Sequence, residues 1–381
     1  MRSAAYAGSF DPITHGHLAI LEAGASLFEK VYLVIAANAD KPNGRFTVAE
    51  RMEMAREAVK HLPNVEVINV HSQFIVTWAA DNGVGWVIRG VRGSADIEPE
   101  RVLAIVNAQI QPKVQTLYIP SPAGVETVSS SMVVGLVGHR GWLKVIGQFV
   151  CPAVRQGLVV KFLRDYFTRV CKKANPMVSD AAIGPIFEHL VTAYTEPHRV
   201  YHTLDHIVDV LEHLDRVAPG GVYYAPLRFA AFFHDFVNGT GPKDEEESCG
   251  VAENSMVALG LRNLANTVGD IIEATVKAGD NPMINDSPCH ALFVDADNAV
   301  LGREPRDYGT YAEQIRAEYK RYDDAAYHAG RIQFLEGMLK KPALFLTDAF
   351  RDLDPKARVN MQNELAYWRA RELHRLALQP K

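Results

Sequence analysis

The feature that most constrains the fold of this chain is the alternation of short apolar runs with helix-period segments near its beginning. Residues 4–10 (AAYAGSF) and 31–37 (VYLVIAA) are compact apolar runs, and residues 17–29 between them repeat apolar positions at helical spacing. The same alternation continues with helix 47–61, strand 65–70, helix 73–82 and strand 85–89. Strands that are separated by helices pair in parallel, so the pattern predicts a Rossmann-like α/β domain with a doubly wound parallel sheet.

The character of the sequence changes after about residue 160. Strand-like runs become rare, and amphipathic segments follow at 182–194, 204–217, 225–236, 245–260, 266–278 and 308–339. This half is therefore predicted to be all-helical. A chain of 381 residues is longer than one hydrophobic core usually organises. We predict two domains, 1–162 and 179–381, and interpret 163–178, which ends in a polar Asn-Pro turn, as a linker.

Composition and charge favour an enzyme that acts on small molecules. The net charge is −5, so no basic field indicates binding to nucleic acid or to an anionic membrane. The beginning MRSAAYAGSF has no apolar stretch of a secretory signal, and no segment reaches the length of a membrane span. The four cysteines form no CxxC pair and are interpreted as reduced, buried thiols. We expect a cytoplasmic protein without nucleic-acid or membrane partners.

The first motif with chemical meaning is GSFDPITHGH, residues 8–17, at the end of the first predicted strand. A glycine after a strand lets a phosphate approach the backbone. The segment Thr14-His15-Gly16-His17 then begins a helix whose free N–H groups favour anions. The turn is therefore a candidate site for a nucleoside triphosphate, at the carboxyl end of the sheet where such ligands bind.

Further phosphate-binding side chains follow in the same half. They are Lys41, Arg89 and Arg92 in VIRGVRGSAD, and the serines 129–131. Adenylyl transfer requires the reacting phosphates to be held in line with their charge neutralised, which lysine, arginine and helix N-termini can do. This ordered set, GSFDPITHGH, RGVRGSADIEPE and VSSSMV, resembles bacterial phosphopantetheine adenylyltransferases across residues 1–162.

The resemblance implies a role for each matching residue. His17 would stabilise the charge that develops at the α-phosphate, and Lys41 and Arg92 would assist. The acceptor 4′-phosphopantetheine would contact Ser9, Lys41, Arg89 and Asn107. ATP, accompanied by Mg²⁺, would contact Arg92, Glu100, Ser129, Ser130 and Ser131. Gly8 and Phe10 would complete the site. The product would be dephospho-CoA, a precursor of CoA, and the resemblance also implies a homo-oligomer.

A second constellation lies in the helical half. It consists of YHTLDH, with His202 and His206 four residues apart, then His234-Asp235 after an apolar helix, and then FVDAD with Asp295 and Asp297. Residues four apart share one face of a helix, so the two histidines can point to one site. The imidazole and carboxylate groups can bind a divalent metal that activates water.

These three elements resemble the HD superfamily of metal-dependent phosphohydrolases over about residues 180–340. The resemblance implies that His206, His234, Asp235 and Asp297 are metal ligands and that His202 donates a proton or contacts phosphate. Asp295 stays an alternative to Asp297, and Glu246 or Glu247 could touch a second metal.

Neither the metal nor the substrate of this half is determined. The metal could be Mn, Fe, Co, Ni or Mg, and the substrate is expected to be a phosphorylated small molecule. Three functions follow for the whole chain: a bifunctional enzyme, an adenylyltransferase with a degenerate regulatory HD module, or a hydrolase with an inactive nucleotide-binding domain used for assembly.

Overall fold

The structure, a computed structural model, describes residues 2–36, 44–71, 73–239, 241, 243–276 and 287–377. These residues form two compact units, with the division between Leu158 and Val159. In the described ranges, no helix combines the length and the apolar character needed to cross a membrane.

The first unit is built on a five-stranded parallel sheet with the order β3-β2-β1-β4-β5. Its strands are Ser3–Gly8 (β1), Lys30–Ala36 (β2), Val65–Val70 (β3), Trp86–Val91 (β4) and Gln115–Pro120 (β5). Its helices are His15–Leu27 (α1), Val48–Ala58 (α2), Ile75–Asp81 (α3), Ser94–Ile110 (α4), Ser130–Leu136 (α5) and Trp142–Ile146 (α6). The predicted parallel α/β sheet is confirmed.

The central strand β1 decides where the site lies. It pairs with β2 on one side and β4 on the other, so the direction in which the chain adds strands reverses here. In open parallel sheets, ligands bind at such a switch point, beyond the carboxyl ends of the strands. Ala4 and Ala5 are fully buried in β1 because helices cover both faces of the sheet. The turn after Gly8 is thereby fixed above the centre of the sheet.

Three elements of this unit were not predicted: the helix α4, the strand β5 and the short helix α6. Helix α4 contains Pro99 and exposes several apolar side chains, so its sequence lacks a clear amphipathic period. Strand β5 begins and ends with exposed residues, so its sequence shows no clear alternation of buried and exposed positions.

The second unit consists of helices in its described ranges, as predicted. A long helix, Pro152–Ala174 (α7), contains the boundary between the units. It is followed by Asp180–Tyr194 (α8), Leu204–Val217 (α9), Tyr224–Phe233 (α10), Asp244–Ala258 (α11), Arg262–Val276 (α12), Pro288–Asp297 (α13), Pro305–Glu318 (α14), Asp324–Lys340 (α15) and Asp354–Ala377 (α16). Short 3₁₀ helices span Asn298–Gly302 and Arg351–Leu353.

Two interpretations of this half are corrected. The segment 163–178 is not a linker, because α7 continues to Ala174 and buries Leu163, Phe167 and Val170 completely. The Asn-Pro turn that suggested a linker comes only after the end of this helix. The predicted helix 308–339 is two helices, because Asp323 accepts a hydrogen bond from the Ala326 N–H and begins a new one.

Candidate active sites

The first unit contains a cleft of about 310 Å³ at the carboxyl ends of β1 and β4. It brings together most of the residues that the sequence assigned to nucleotide chemistry. Those that line it are Gly8, Ser9, Phe10, His17, Arg89, Arg92, Glu100, Ser129, Ser130 and Ser131. The cleft therefore concentrates arginine, imidazole and hydroxyl groups at the switch point of the sheet.

The imidazole of His17 has a defined tautomer. Its Nδ1 lies 3.1 Å from the backbone nitrogen of Thr14, which can only donate, so Nδ1 accepts and the ring proton resides on Nε2. Burial, together with the positive charge of Arg92, lowers the pKa of His17 to about 4. At neutral pH the ring is therefore an uncharged hydrogen-bond donor through Nε2.

Two close packings hold this turn in shape. A Cβ at Gly16 would lie 2.4 Å from the carbonyl oxygen of Val128, so only glycine allows the segment before α5 to approach α1. Phe10 has a φ of 43°, in the left-handed region that non-glycine residues rarely adopt. Its buried ring packs edge-on against His17 at a centroid distance of 5.1 Å. The backbone of the turn and the position of His17 are thus determined together.

The two arginines of the cleft are held by carboxylates. Arg89 forms a bidentate pair with Glu100, with its Nη2 at 2.7 Å from Oε1. Arg92 donates from Nε to Asp96 at 3.0 Å and is about half exposed. In the structure Glu100 therefore orients Arg89, a contact that the sequence did not indicate because the two residues lie on different elements.

The serines contribute unequally. The Ser129 hydroxyl accepts a hydrogen bond from the Met132 N–H and begins α5, and the Ser130 hydroxyl donates to the Pro12 carbonyl. Ser131 has an exposed side chain on the cleft. Two of the three serines therefore shape the wall as well as offering polar atoms to a ligand.

Two predicted residues are not placed in the cleft. Asn107 is buried in α4 and does not line the cleft. Lys41 lies outside the described residues.

Sequence reasoning missed Asp11 and Arg51. Asp11 accepts hydrogen bonds from the Arg45 and Phe46 N–H groups, and Arg51 donates to the Ser9 carbonyl. Asp11 stands inside the GSFDP motif and could have been found there, whereas Arg51 gave no signal.

The second unit contains a larger cavity, of about 560 Å³, with histidines and acids at one end. The Nε2 atoms of His206 and His234 lie 3.0 Å apart, and Asp297 Oδ1 lies 3.1 Å and 3.4 Å from them. Asp235 Oδ2 lies 3.0 Å from His234 Nε2 and 3.5 Å from His206 Nε2. Each of the two predicted carboxylates thus lies within 3.5 Å of the Nε2 atoms of both predicted histidines.

The donor set fits a divalent cation. His234 Nδ1 lies 3.2 Å from the Ala231 carbonyl, which can only accept, so in the neutral ring the lone pair of Nε2 faces His206 and the two carboxylates. The ligand atoms of His206, His234 and Asp297 lie within 4.8 Å of one another. Mixed imidazole and carboxylate ligands suit Mn, Fe, Co, Ni or, with fewer nitrogens, Mg. A cluster of lone pairs and negative charge in a buried position is stabilised by a positive ion.

His202 lines the same cavity but has a different partner. Its Nδ1 lies 2.6 Å from Glu318 Oε2, and its Nε2 lies 3.9 Å from Asp235. Burial lowers the pKa of His202, but Asp235 and Glu318 outweigh this effect and raise it. Glu318 also accepts the backbone N–H groups of Val200 and His202. Sequence reasoning missed Glu318, because no spacing connects it to the YHTLDH motif.

The structure separates the acidic residues that the sequence offered as alternative metal ligands. Asp295 is fully buried and points elsewhere: its carboxylate accepts hydrogen bonds from the Leu346 and Thr347 N–H groups and from the Thr347 hydroxyl. It therefore holds a loop, and Asp297 is the member of the pair in the cluster. Of the DEEES segment, Glu245 lines the cavity, whereas Glu246 and Glu247 do not.

Known proteins match the first unit. A family model described as "Cytidylyltransferase-like" matches residues 5–135. "Phosphopantetheine adenylyltransferase" of Neisseria meningitidis serogroup C (strain 053442) is 37% identical over 160 residues, which are 42% of this chain and 94% of that protein. The protein of the same name from Chromobacterium violaceum is 37% identical over 150 residues, or 39% of this chain and 91% of that protein. Through its first 160 or so residues the chain belongs to the phosphopantetheine adenylyltransferase family.

Proposed function

We propose that the first unit transfers the adenylyl group of ATP to 4′-phosphopantetheine, producing dephospho-CoA and pyrophosphate. The relatives carry this activity in their name. The observation that carries the proposal for this chain is the neutral His17, whose Nε2 proton is available to a ligand in a cleft with Arg89, Arg92 and the serines.

The chemistry is a direct displacement. A phosphate oxygen of the acceptor attacks the α-phosphorus of ATP, and the bond to the leaving pyrophosphate breaks. His17 donates from Nε2 to an α-phosphate oxygen, whose negative charge grows in the transition state. Arg92 and the exposed Ser131 bind the nucleotide phosphates, and Ser9 and Lys41 bind the acceptor phosphate. Magnesium bound with ATP supplies further neutralisation of the phosphates.

Pyrophosphate release from ATP tests this proposal in the whole protein, with 4′-phosphopantetheine as the acceptor. His17→Ala should lower kcat by about 100-fold or more with a small change in KM, because the lost contact forms mainly in the transition state. His15→Ala is the matched control, since His15 bonds to the Gln148 carbonyl and does not line the cleft. Pyrophosphate release only with another phosphorylated acceptor would retain adenylyl transfer and reject phosphopantetheine.

We also propose that the second unit is a metal-dependent phosphohydrolase that acts on a phosphorylated small molecule. The convergence of His206, His234, Asp235 and Asp297 carries this proposal. These four residues would hold a divalent ion, which supplies Lewis-acid activation of water and of the phosphoryl group. Water oxygen attacks phosphorus, and the ester or anhydride bond to the leaving oxygen breaks.

His202 is the candidate proton donor to the leaving oxygen. Glu318 fixes its Nδ1 and directs its Nε2 toward the acidic end of the cavity. Within the whole chain, Asp235→Ala should remove both metal and hydrolysis, and His202→Ala should keep the metal while turnover falls by about 100-fold or more.

Metal analysis of purified protein separates the alternatives. Equal metal loss in the two variants would contradict the separate roles of Asp235 and His202. Wild type that takes up no manganese, iron, cobalt, nickel or magnesium would favour a degenerate regulatory module.

The exposed side of α4 supports self-association of the first unit. Its exposed apolar residues are Ile97, Val102, Leu103, Ile105 and Val106, each between 40% and 52% exposed. Several exposed apolar side chains on one helix favour an interface. Ile105→Glu should reduce the mass measured by light scattering, whereas Val222→Glu, at an 83% exposed position of the second unit, should leave it unchanged.

A further inference from the structure

The turn after β1 holds a backbone conformation that needs support from its surroundings. Phe10 has a φ of 43° and is only 3% exposed, and its ring centroid lies 5.1 Å from that of His17. Such a conformation costs free energy in a residue other than glycine, and it persists only where neighbouring groups fix the backbone. The residues that supply this support therefore determine where Ser9 and His17 lie in the cleft.

Arg51 of α2 fixes the turn from one side. It is 8% exposed and does not line the cleft. Its Nη1 donates to the Ser9 carbonyl at 2.8 Å and to the Ala36 carbonyl at 3.4 Å, so one guanidinium group joins the carboxyl ends of β1 and β2. Because a peptide group is planar, holding the Ser9 carbonyl also sets the direction of the Phe10 N–H.

Asp11 fixes the turn from the other side. Its Oδ2 accepts a hydrogen bond from the Arg45 N–H at 2.7 Å, and its Oδ1 accepts one from the Phe46 N–H at 2.9 Å. Hydrogen bonds to an ionised carboxylate are stronger than those between neutral groups. Phe46 is buried and directly precedes Thr47, the N-cap of α2. The carboxylate and Arg51 thus both attach the turn to the beginning of α2.

The residues proposed to bind the nucleotide phosphates have separate support. Arg92 is held by a carboxylate of α4, and the Ser130 hydroxyl donates to the Pro12 carbonyl at 2.7 Å. Neither of these contacts involves Arg51. Loss of Arg51 should therefore release Ser9, whereas the nucleotide side of the cleft keeps its own contacts.

We propose that Arg51 and Asp11 are positioning residues for adenylyl transfer. This inference rests on the proposed function, in which Ser9 binds the acceptor phosphate. Neither positioning residue lines the cleft, so both act through the turn. Together they hold the conformation of Phe10, and the turn thus held places the Ser9 hydroxyl for the acceptor and the His17 ring for the α-phosphate.

Calorimetry and steady-state kinetics on the whole protein test this role. Arg51→Met removes the hydrogen bonds and keeps an unbranched side chain. The Kd of 4′-phosphopantetheine should rise by about tenfold or more, and kcat should fall by about 100-fold, because reacting groups are misplaced. The Kd of ATP should change by less than about threefold, as expected for sites that share no contact. Arg56→Met is the matched control, since Arg56 is exposed on the same helix, and should leave these constants unchanged.

Two further measurements make the test independent of the acceptor and of a single variant. Asp11→Asn keeps the shape of the side chain but places an amide donor against a backbone N–H, so it should weaken acceptor binding in the same way. The NMR signal of labelled His17 reports the position of the Phe10 ring beside it. This signal should shift in Arg51→Met and stay in place in Arg56→Met.

The outcomes distinguish the positioning role from the function on which it rests. Wild type that binds ATP but not 4′-phosphopantetheine would reject the proposed acceptor, and the His17 signal would then decide the positioning role. Acceptor binding that Arg51→Met weakens no more than ATP binding, or an unshifted His17 signal, would overturn that role. If Arg51→Met does not fold, the same criteria apply to Asp11→Asn.

Discussion

Position 16 tolerates no side chain, since a methyl group there would meet the Val128 carbonyl at 2.4 Å. Gly16→Ala should therefore lower the free energy of unfolding by about 1–3 kcal/mol, the usual cost of overpacking, and weaken nucleotide binding. Gly135→Ala is the control, because Gly135 is exposed in α5 and a Cβ there has nothing within 4 Å. Alanine at 135 should change stability by less than about 1 kcal/mol. Urea unfolding of both variants checks this pair; equal effects would contradict the close approach.

The protonation of His17 is a second prediction at the scale of single residues. Its pKa is lowered to about 4 by burial and by Arg92, whereas an unfolded histidine titrates near 6.5. Between these values the unfolded chain binds a proton that the folded chain does not, so this residue makes stability fall as the pH decreases from about 6.5 to about 4. NMR of labelled histidine should show His17 neutral at pH 6 with its proton on Nε2. A proton on Nδ1 would contradict the Thr14 contact.

Among the elements, α13 carries two aspartates that the structure directs to different partners. Asp297→Asn should remove the metal, because it neutralises a ligand of the cluster. Asp295→Asn should retain the metal but reduce stability by about 1.5–3 kcal/mol, the range for hydrogen bonds to a charged group, since it weakens the contacts to residues 346 and 347. Metal analysis of both variants, and unfolding curves of both after chelator treatment, test whether Asp297 binds metal and Asp295 holds the loop. Loss of metal in Asp295→Asn would contradict this assignment.

At the scale of the molecule, the second unit depends on α7. Phe167 is fully buried and its ring contacts the rings of Phe187, Phe229 and Phe232. A fragment 159–381 should therefore fold, whereas a fragment 175–381 should not, because it lacks this aromatic centre. Circular dichroism and thermal unfolding of the two fragments test this.

A substitution in the whole chain tests the same dependence without truncation. Phe167→Ala should cost about 3–5 kcal/mol, as for other buried phenylalanines. Asp165→Ala, at an exposed position of the same helix, should have little effect. Equal unfolding curves for these two variants would show that α7 is dispensable.

The sequence by itself predicted the parallel sheet and the helical second half. Short apolar runs for strands and apolar residues at helical spacing for helices are both local properties of the chain. It also predicted that GSFDPITHGH and the arginines 89 and 92 share one site, since residues at the carboxyl ends of neighbouring parallel strands must meet. The roles of Glu100 and Ser129–Ser131 were implied by the resemblance to the family. The two histidines and two aspartates that lie together in the second unit were likewise among the predicted candidates.

Only the tertiary structure decided which groups act on one another. Side-chain direction decided the tautomer of His17 and the position of Asp297, rather than Asp295, beside the histidines. Contacts between distant elements decided the pairing of Glu100 with Arg89 and of Glu318 with His202. The aromatic side chains that line the second cavity could not be predicted for the same reason. Local patterns specify elements, but the partners of a polar side chain are fixed by packing across elements, which no spacing in the chain encodes.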